Sequence, residues 1–247
     1  MQKLQIIIIS RGLNGLLHQC LQQLVQAIDG LPESLKHRIT VVDNASDPPY
    51  WTECTVSDSV QLIRFDQHQS FARANNIAAR RNPADLYLLL NNDVLLDEET
   101  LVSMFEQINF DKQCGIVGSR LVFSDGTIQH SGVAFGAGKT GPYHLHRCRP
   151  SSQVSTITQE YQAITGACMM IRGAVWEQLN GLDEQYSFGL EDIDFCLRAR
   201  QWGWRVFCVG KGHSLHFESM TPGRVELDVA SRELFMKNWQ TRYSIDG

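Results

Sequence analysis

Leu86-Tyr87-Leu88-Leu89-Leu90-Asn91-Asn92-Asp93 is the stretch that decides the fold. Its large, mostly apolar run suits a strand buried on both faces, and the polar triplet marks the strand's end. Upstream, Leu4 to Ile9 is an isoleucine-rich run of the same kind. Ile39 to Val42 is another, ending in Asp43-Asn44-Ala45-Ser46-Asp47 and two prolines, and Val60 to Phe65 reads as a further strand. Between these runs, Leu17, Leu21, Leu24, Val25 and Ile28 fall at helical spacing. Phe71 to Arg81 predicts a helix that stops before Asn82-Pro83, and Asp97 to Ile108 predicts one more. Strands alternating with helices predict an α/β fold, with a mixed, mainly parallel sheet and helices on both faces. Ligands of such sheets sit at the carboxyl ends of the strands, where Asp43 and Asp93 lie.

The second half is less regular. Cys114 to Phe123 predicts a strand before a turn at Ser124-Asp125-Gly126. Residues 136–155, rich in Gly, Pro, Ser and His, read as a mobile loop. Ala163 to Ile171 is strand-like, Ala174 to Leu179 begins a helix, and Asp192 to Trp202 is a helix closed by Gly203. Val206 to Val209 is a short strand, and Glu226 to Tyr243 reads as an amphipathic helix. Trp202, Trp204 and Phe207 are expected in the core.

The 247 residues carry a net charge of −5, with 43% hydrophobic and 20% charged residues. That balance is globular and argues against broad electrostatic binding of nucleic acid. Seven scattered cysteines without a C-x-x-C pair point to free thiols in a reducing cytosol. The apolar run after Met1-Gln2-Lys3 is too short for a signal peptide or a membrane span, so a cytoplasmic protein is expected.

Several clusters can carry chemistry. Oxygen ligands in Asn91-Asn92-Asp93 can hold a divalent cation that grips a diphosphate, although such a triplet alone is more often a turn. Asp43-Asn44 can bond a nucleobase or ribose, or can form an Asx turn. Glu191, Asp192 and Asp194 open a helix, where acids complement the dipole; desolvated together, they raise one another's pKa and supply a general base. His213 and His216 are too few for a metal site on their own. His144, His146 and Cys148 match no standard zinc spacing and read as polar loop.

In order, these stretches resemble glycosyltransferase family 2, the inverting nucleotide-sugar enzymes of GT-A fold that include bacterial rhamnosyltransferases. The matching segments are Ile6-Ile7-Ile8-Ile9-Ser10, Val41-Val42-Asp43-Asn44-Ala45-Ser46, Ser70-Phe71-Ala72-Arg73-Ala74-Asn75-Asn76, Leu88-Leu89-Leu90-Asn91-Asn92-Asp93, Thr165-Gly166-Ala167-Cys168-Met169-Met170, and Asn180-Gly181-Leu182-Asp183-Glu184 through Glu191-Asp192-Ile193-Asp194, with His216 beyond. Each is weak alone; six in order are strong. The resemblance implies a single domain over 1–247, with a nucleotide-binding half to about residue 110 and an acceptor-binding, catalytic half beyond. It implies that Ser10, Asp43, Asn44, Asn75, Asn76, Asn91 and Asn92 bind the donor, with Asp43 reading the base. Gly166 and Ala167 would line the sugar pocket. Asp93 and His216 would contact Mg²⁺ or Mn²⁺, and Asp192 would be the catalytic base with Glu191 beside it.

The implied reaction moves a sugar from a UDP- or dTDP-type donor to a hydroxyl of a sugar or lipid-linked acceptor, in cell-surface polysaccharide or glycolipid assembly. No nucleic-acid partner is implied. A lipid-linked acceptor would bring peripheral contact with the inner membrane face, and Arg232, Lys237 and Arg242 among Leu234, Phe235 and Trp239 suit that role. Packing of this helix on the domain is the preferred reading. The chain departs from the family pattern at Arg11-Gly12, where a Tyr-Asn pair is common, and at Ser70, where glycine is common. A nucleotidyltransferase and an inactive nucleotide-sugar-binding module are the competing readings. The first should show a glycine-rich, basic phosphate loop, for which Arg11 to Gly15 is a faint candidate. Segments 136–155 and 219–224 are expected to close over substrates.

Overall fold

A computed structural model describes residues 1–12, 14–50, 60–136, 141–217 and 224–247. In chain order the elements are β1 (Lys3–Ser10), α1 (Asn14–Ile28), β2 (Lys36–Asn44), β3 (Val60–Phe65), α2 (Phe71–Arg81), β4 (Leu86–Asn91), β5 (Val94–Leu95), α3 (Glu98–Phe110), β6 (Cys114–Ser119) and β7 (Leu121–Val122). They continue with β8 (Ile128–His130), β9 (Val133–Phe135), β10 (Pro142–His144), β11 (Gln159–Glu160), β12 (Cys168–Arg172), α4 (Gly173–Gln178), α5 (Glu191–Gln201), β13 (Arg205–Val209), β14 (Leu215–His216) and α6 (Arg224–Trp239).

The main sheet has eight strands in the order β11-β13-β6-β12-β4-β1-β2-β3. Strands β4, β1, β2 and β3 run parallel, as do β6 and β13, while β12 is antiparallel to both β4 and β6. Successive side chains of a strand point to opposite faces, so the wholly buried Ile6, Ile7 and Ile8 of β1 need cover on both sides. Ile6 and Ile8 share one core with Leu17, Leu21 and Leu24 of α1 and Met104 and Ile108 of α3. Ile7 shares the other with Ala72, Ala74, Ala78 and Ala79 of α2, Phe195 of α5 and Phe235 of α6. The small alanines let α2 lie close to the sheet. Each large side chain buried this way contributes roughly 1.5–3 kcal/mol.

Register brings the motif residues to one edge. Ser10 pairs beside Asp43, Ile9 beside Asn91, and Leu90 beside Cys168. A four-stranded sheet, β5-β14-β7-β8, carries the chain beyond β4 and β6.

Helix α2 spans the predicted residues because both ends are marked. Ser70 Oγ accepts the Arg73 amide as N-cap, and Asn82-Pro83 stops the helix. The Ser70 departure is therefore a cap. Other expectations change. Val25 is 40% exposed, and Cys20 and Ala27 take its place on the buried face of α1. Residues 114–123 form two strands broken at Arg120, whose amide bonds to the Val209 carbonyl. The expected strand at 163–171 begins only at Cys168; upstream, Ala163 makes an isolated antiparallel bridge to Val133.

Segment 136–155 is not bare loop: β10 pairs with β9, and Ser151–Gln153 is a 3-10 turn. Its residues 137–140 lie outside the described residues, as do 219–223 of the second expected lid. Trp202 is 65% exposed, against the core expectation, whereas Phe207 is buried. Helix α6 ends at Trp239, and Phe235 and Trp239, four residues apart, are both buried, so it packs on the domain. Among the described residues the cysteines are free, and no helix is long and apolar enough to cross a membrane. Cys54 lies outside the described residues.

Candidate active site

Three strand ends and one helix start build the site. At the end of β1, buried Ser10 accepts Asn92 Nδ2 at 2.9 Å and donates to the Gly12 carbonyl at 3.2 Å. The Gly12 amide reaches Ser46 Oγ at 2.8 Å, which ties the β1 and β2 loops together. The Asp43 carboxylate is wholly buried and turned inward. It accepts the amides of Ser46 at 2.9 Å and Tyr50 at 3.2 Å, and Arg64 Nη1 at 2.5 Å. Burial alone would raise its pKa; these hydrogen bonds outweigh burial and hold it below the usual carboxylate range. Asn44 is likewise committed, exchanging hydrogen bonds of 2.9 and 2.8 Å with the backbone of Gln69. Both residues shape the loop and hold its form through their side chains.

Helix α2 contributes Asn75 and Asn76, both buried. Asn76 is a clasp: it accepts the Leu182 amide at 3.0 Å and donates to the Leu182 carbonyl at 2.8 Å and Glu184 Oε1 at 3.0 Å. Asn75 donates to its own helix at the Phe71 carbonyl, and its Oδ1 has no partner.

Past β4 the chain turns into β5, which pairs antiparallel with β14 so that Val94 opposes His216. The pairing brings Asp93 Oδ1 to 3.2 Å from His216 Nε2, both groups being nearly buried. No hydrogen bond reaches that carboxylate oxygen. His216 Nδ1 faces Gln129 Oε1 at 3.3 Å. With the proton on Nδ1, the Nε2 lone pair points at a carboxylate, and a cation between the two relieves the repulsion. One carboxylate and one imidazole suit a divalent ion that completes its shell with substrate phosphates and water. Among the described residues no group of three or more His, Cys, Asp or Glu is arranged to hold a metal unaided.

The acids at the start of α5 follow a sharp bend in which Gly189 and Leu190 both take positive φ, 73° and 70°. For leucine this conformation is strained. It presents Asp192 to the loop before β12. Asp192 Oδ2 accepts the Gly166 amide at 2.7 Å and Oδ1 the Ile193 amide at 2.8 Å. Residue 166 must be small: a Cβ there would lie 3.1 Å from the Asp192 Cβ and 3.5 Å from Phe71 Cε1. Burial raises the Asp192 pKa despite the two amides. Glu191 is more deeply buried; burial first, and then the Asp192 charge, push it up to about 8. Its Oε2 has no partner.

Segment 165–167 joins the two halves of the site. The Gly166 amide bonds to Asp192, and the Ala167 carbonyl accepts the Asn91 amide at 2.8 Å. The Thr165 amide approaches His130 Nε2 at 3.4 Å.

The chain matches the family described as "Glycosyltransferase like family 2" over residues 3–223. It belongs to that family. The O-antigen biosynthesis protein RfbC of Myxococcus xanthus is 30% identical over 190 residues, which are 73% of this chain and 15% of that one. The chain thus spans a small part of that relative's length. GalNAc-T7, solved with UDP, GalNAc and Mn²⁺, superposes with a TM-score of 0.66 at 12% identity, over 88% of this chain and 44% of that one. The mannosyltransferase PcManGT of Pyrobaculum calidifontis, solved with GDP-Man and Mn²⁺, gives 0.64 at 15% identity, over 93% and 60%. The fold of this family 2 member is that of the GT-A enzymes.

In this family 2 member the structure brings Ser10 to Asn92, Asn91 to Ala167, Gly166 to Asp192 and Asp93 to His216. Asp43, Asn44 and Asn76 instead spend their side-chain hydrogen bonds on the protein itself. Sequence reasoning missed Gln129, which orients His216, and His130, whose ring is fully buried and faces His144 at 2.7 Å. Burial, and then His144, keep His130 well below the ordinary histidine range, so it stays neutral. The only signal was the polar pair Gln129-His130 standing where the chain is otherwise turning back on itself.

Proposed function

We propose that the chain is the catalytic domain of an inverting glycosyltransferase, moving a sugar from a nucleoside-diphosphate donor to a hydroxyl of a glycan or lipid-linked acceptor. Three of the buried side-chain oxygens that lack a hydrogen-bond partner carry this reading: Asn75 Oδ1, Asp93 Oδ1 and Glu191 Oε2. Buried polar groups are rarely left unpaired, and these three sit in three of the six family segments. A donor, a cation and an acceptor would satisfy them.

In this reading Asp93 and His216 hold Mg²⁺ or Mn²⁺, which when bound supplies positive charge against the departing diphosphate. Ser10, Asn91 and Asn92 form the donor-side wall, and Asp43, Asn44 and Asn76 act by fixing the loops around it. Gly166 and Ala167 leave room for the sugar. Asp192 takes the proton of the attacking hydroxyl, and its raised pKa brings its basicity closer to that task. Glu191, protonated near neutrality, donates a hydrogen bond from beside it. Attack from the face opposite the leaving group inverts the anomeric carbon. The donor is taken as UDP- or dTDP-type, which the UDP complex of GalNAc-T7 supports; the GDP-Man complex of PcManGT leaves guanine as the alternative. The name of RfbC supports a role in surface polysaccharide assembly. Residues to about 110 serve the donor and later ones the acceptor.

The test is nucleoside diphosphate release from a panel of nucleotide sugars with Mn²⁺, Mg²⁺ or EDTA. Release is expected only with a divalent ion, and Asp192→Asn is expected to lower it by about 10²–10⁴-fold while nucleotide binding persists. Nucleotide binding without release from any donor would favour the inactive module.

A further inference from the structure

Arg120, between β6 and β7, is 1% exposed and has no carboxylate within ion-pair distance among the described residues. Arg198 holds Asp194, and Arg205 holds Asp111 and Glu160, whereas the less buried Arg172 is like Arg120 in reaching only carbonyls. The Arg120 guanidinium reaches only carbonyls, of Gly212 at 3.1 Å and Val154 at 3.5 Å. Its Nε is buried with no acceptor. A guanidinium keeps its proton at physiological pH, and a buried charge without a counter-ion is costly.

A cavity of about 50 Å³ lies against it, lined also by Ser131, His146, Gln159, Tyr161 and Gly210. One water needs about 10–15 Å³ on this measure, so the space fits a few oxygen-sized groups. No acid lines it. Donors do: the His146 ring has no partner among the described residues, and the Gln159 amide nitrogen is unspent because its Oε1 is what accepts the Tyr161 hydroxyl. Exposed Ile157 also lines the cavity. Ser131 follows His130, which meets the Thr165 amide next to Gly166 and hence Asp192.

We propose that this cavity binds a small oxyanion, the carboxylate group of an acidic sugar in the acceptor glycan. The site itself stands on Arg120 and its surroundings; its assignment to the acceptor rests on the transferase reading above. An acidic group seated here gives Arg120 a direct ion-pair partner, where Asp97 and Glu99 act on it only from farther off, and anchors the acceptor on the Asp192 side.

The experiment is thermal-shift and calorimetric titration of the whole protein, without nucleotide or metal, using sodium glucuronate, inorganic phosphate and glucose at matched ionic strength. Glucuronate and phosphate are expected to stabilise saturably and glucose not at all, with glucuronate the tighter. Arg120→Lys keeps the charge but loses the planar fork, and is expected to weaken binding about tenfold. Arg120→Met should abolish binding; should it fail to fold, Arg120→Lys and His146→Ala carry the test, the latter with weaker binding expected. No saturable response to either anion, or an unchanged response in Arg120→Lys, overturns the site. Phosphate binding as tightly as glucuronate overturns the acceptor assignment. Because no arm contains a donor, failure of the transferase reading would leave the anion result standing.

Discussion

Asp93→Asn separates a cation ligand from a structural ion pair. The wild-type carboxylate is almost buried, lacks a hydrogen-bond donor, and faces His216 Nε2 at 3.2 Å. An amide of the same shape removes the buried charge and offers Nε2 an N–H. One net hydrogen bond is worth about 1 kcal/mol. For a chain of this length that raises the melting temperature by roughly 2–4 °C in the absence of ligand. With Mn²⁺ and UDP at about a hundred times the dissociation constant, wild type gains roughly 2.7 kcal/mol, and the variant is expected to lose that gain. Differential scanning calorimetry with Mn²⁺, with Mg²⁺ and with EDTA reads both effects. A ligand-free stability loss above about 1 kcal/mol would mean that Asp93 and His216 form an ordinary ion pair. Cation-dependent stabilisation surviving in the variant would remove Asp93 from the binding site.

Asn76→Ala orphans the buried amide and carbonyl of Leu182, each costing about 1–3 kcal/mol, so urea denaturation should reveal a loss of roughly 2–6 kcal/mol. A loss below about 1 kcal/mol would refute the clasp. Glu191 has a folded-state pKa raised above its unfolded value, so the native state binds the extra proton. The sign follows: its burial costs nothing while both states are protonated, and destabilises increasingly as pH rises from the unfolded pKa toward about 8. Glu191→Gln should therefore raise the melting temperature more at pH 8.5 than at pH 5.5, and an equal change at both would refute the raised pKa.

Much of the fold was legible because its signals are local. The bounds of α2 follow from a capping serine and a following proline, and β1 and β4 from apolar runs that only a doubly covered strand explains. The candidate site was legible as a set of residues and not as a set of roles. Asn76 and Leu182, 106 positions apart, exchange hydrogen bonds that no spacing rule anticipates. Asp43 reads as a ligand-facing acid until Arg64 and the amides of its own turn are seen to occupy it. The β10 pairing with the nearby β9 was hidden because Gly, Pro and Ser dominate its surroundings and mask the strand signal.

The antiparallel pairing of β5 with β14 also sets an order of events during synthesis. Asp93 lies at the end of a sheet segment whose partners β1 and β2 precede it in the chain, so that half can assemble early. His216 arrives only after β6, β12 and β13 have been made, and long-range pairings of this kind are slow to close. No fragment ending before residue 216 can form the pair. The ribosome must therefore release most of this domain before the two side chains meet, which keeps a half-made chain from holding ligands through both of them.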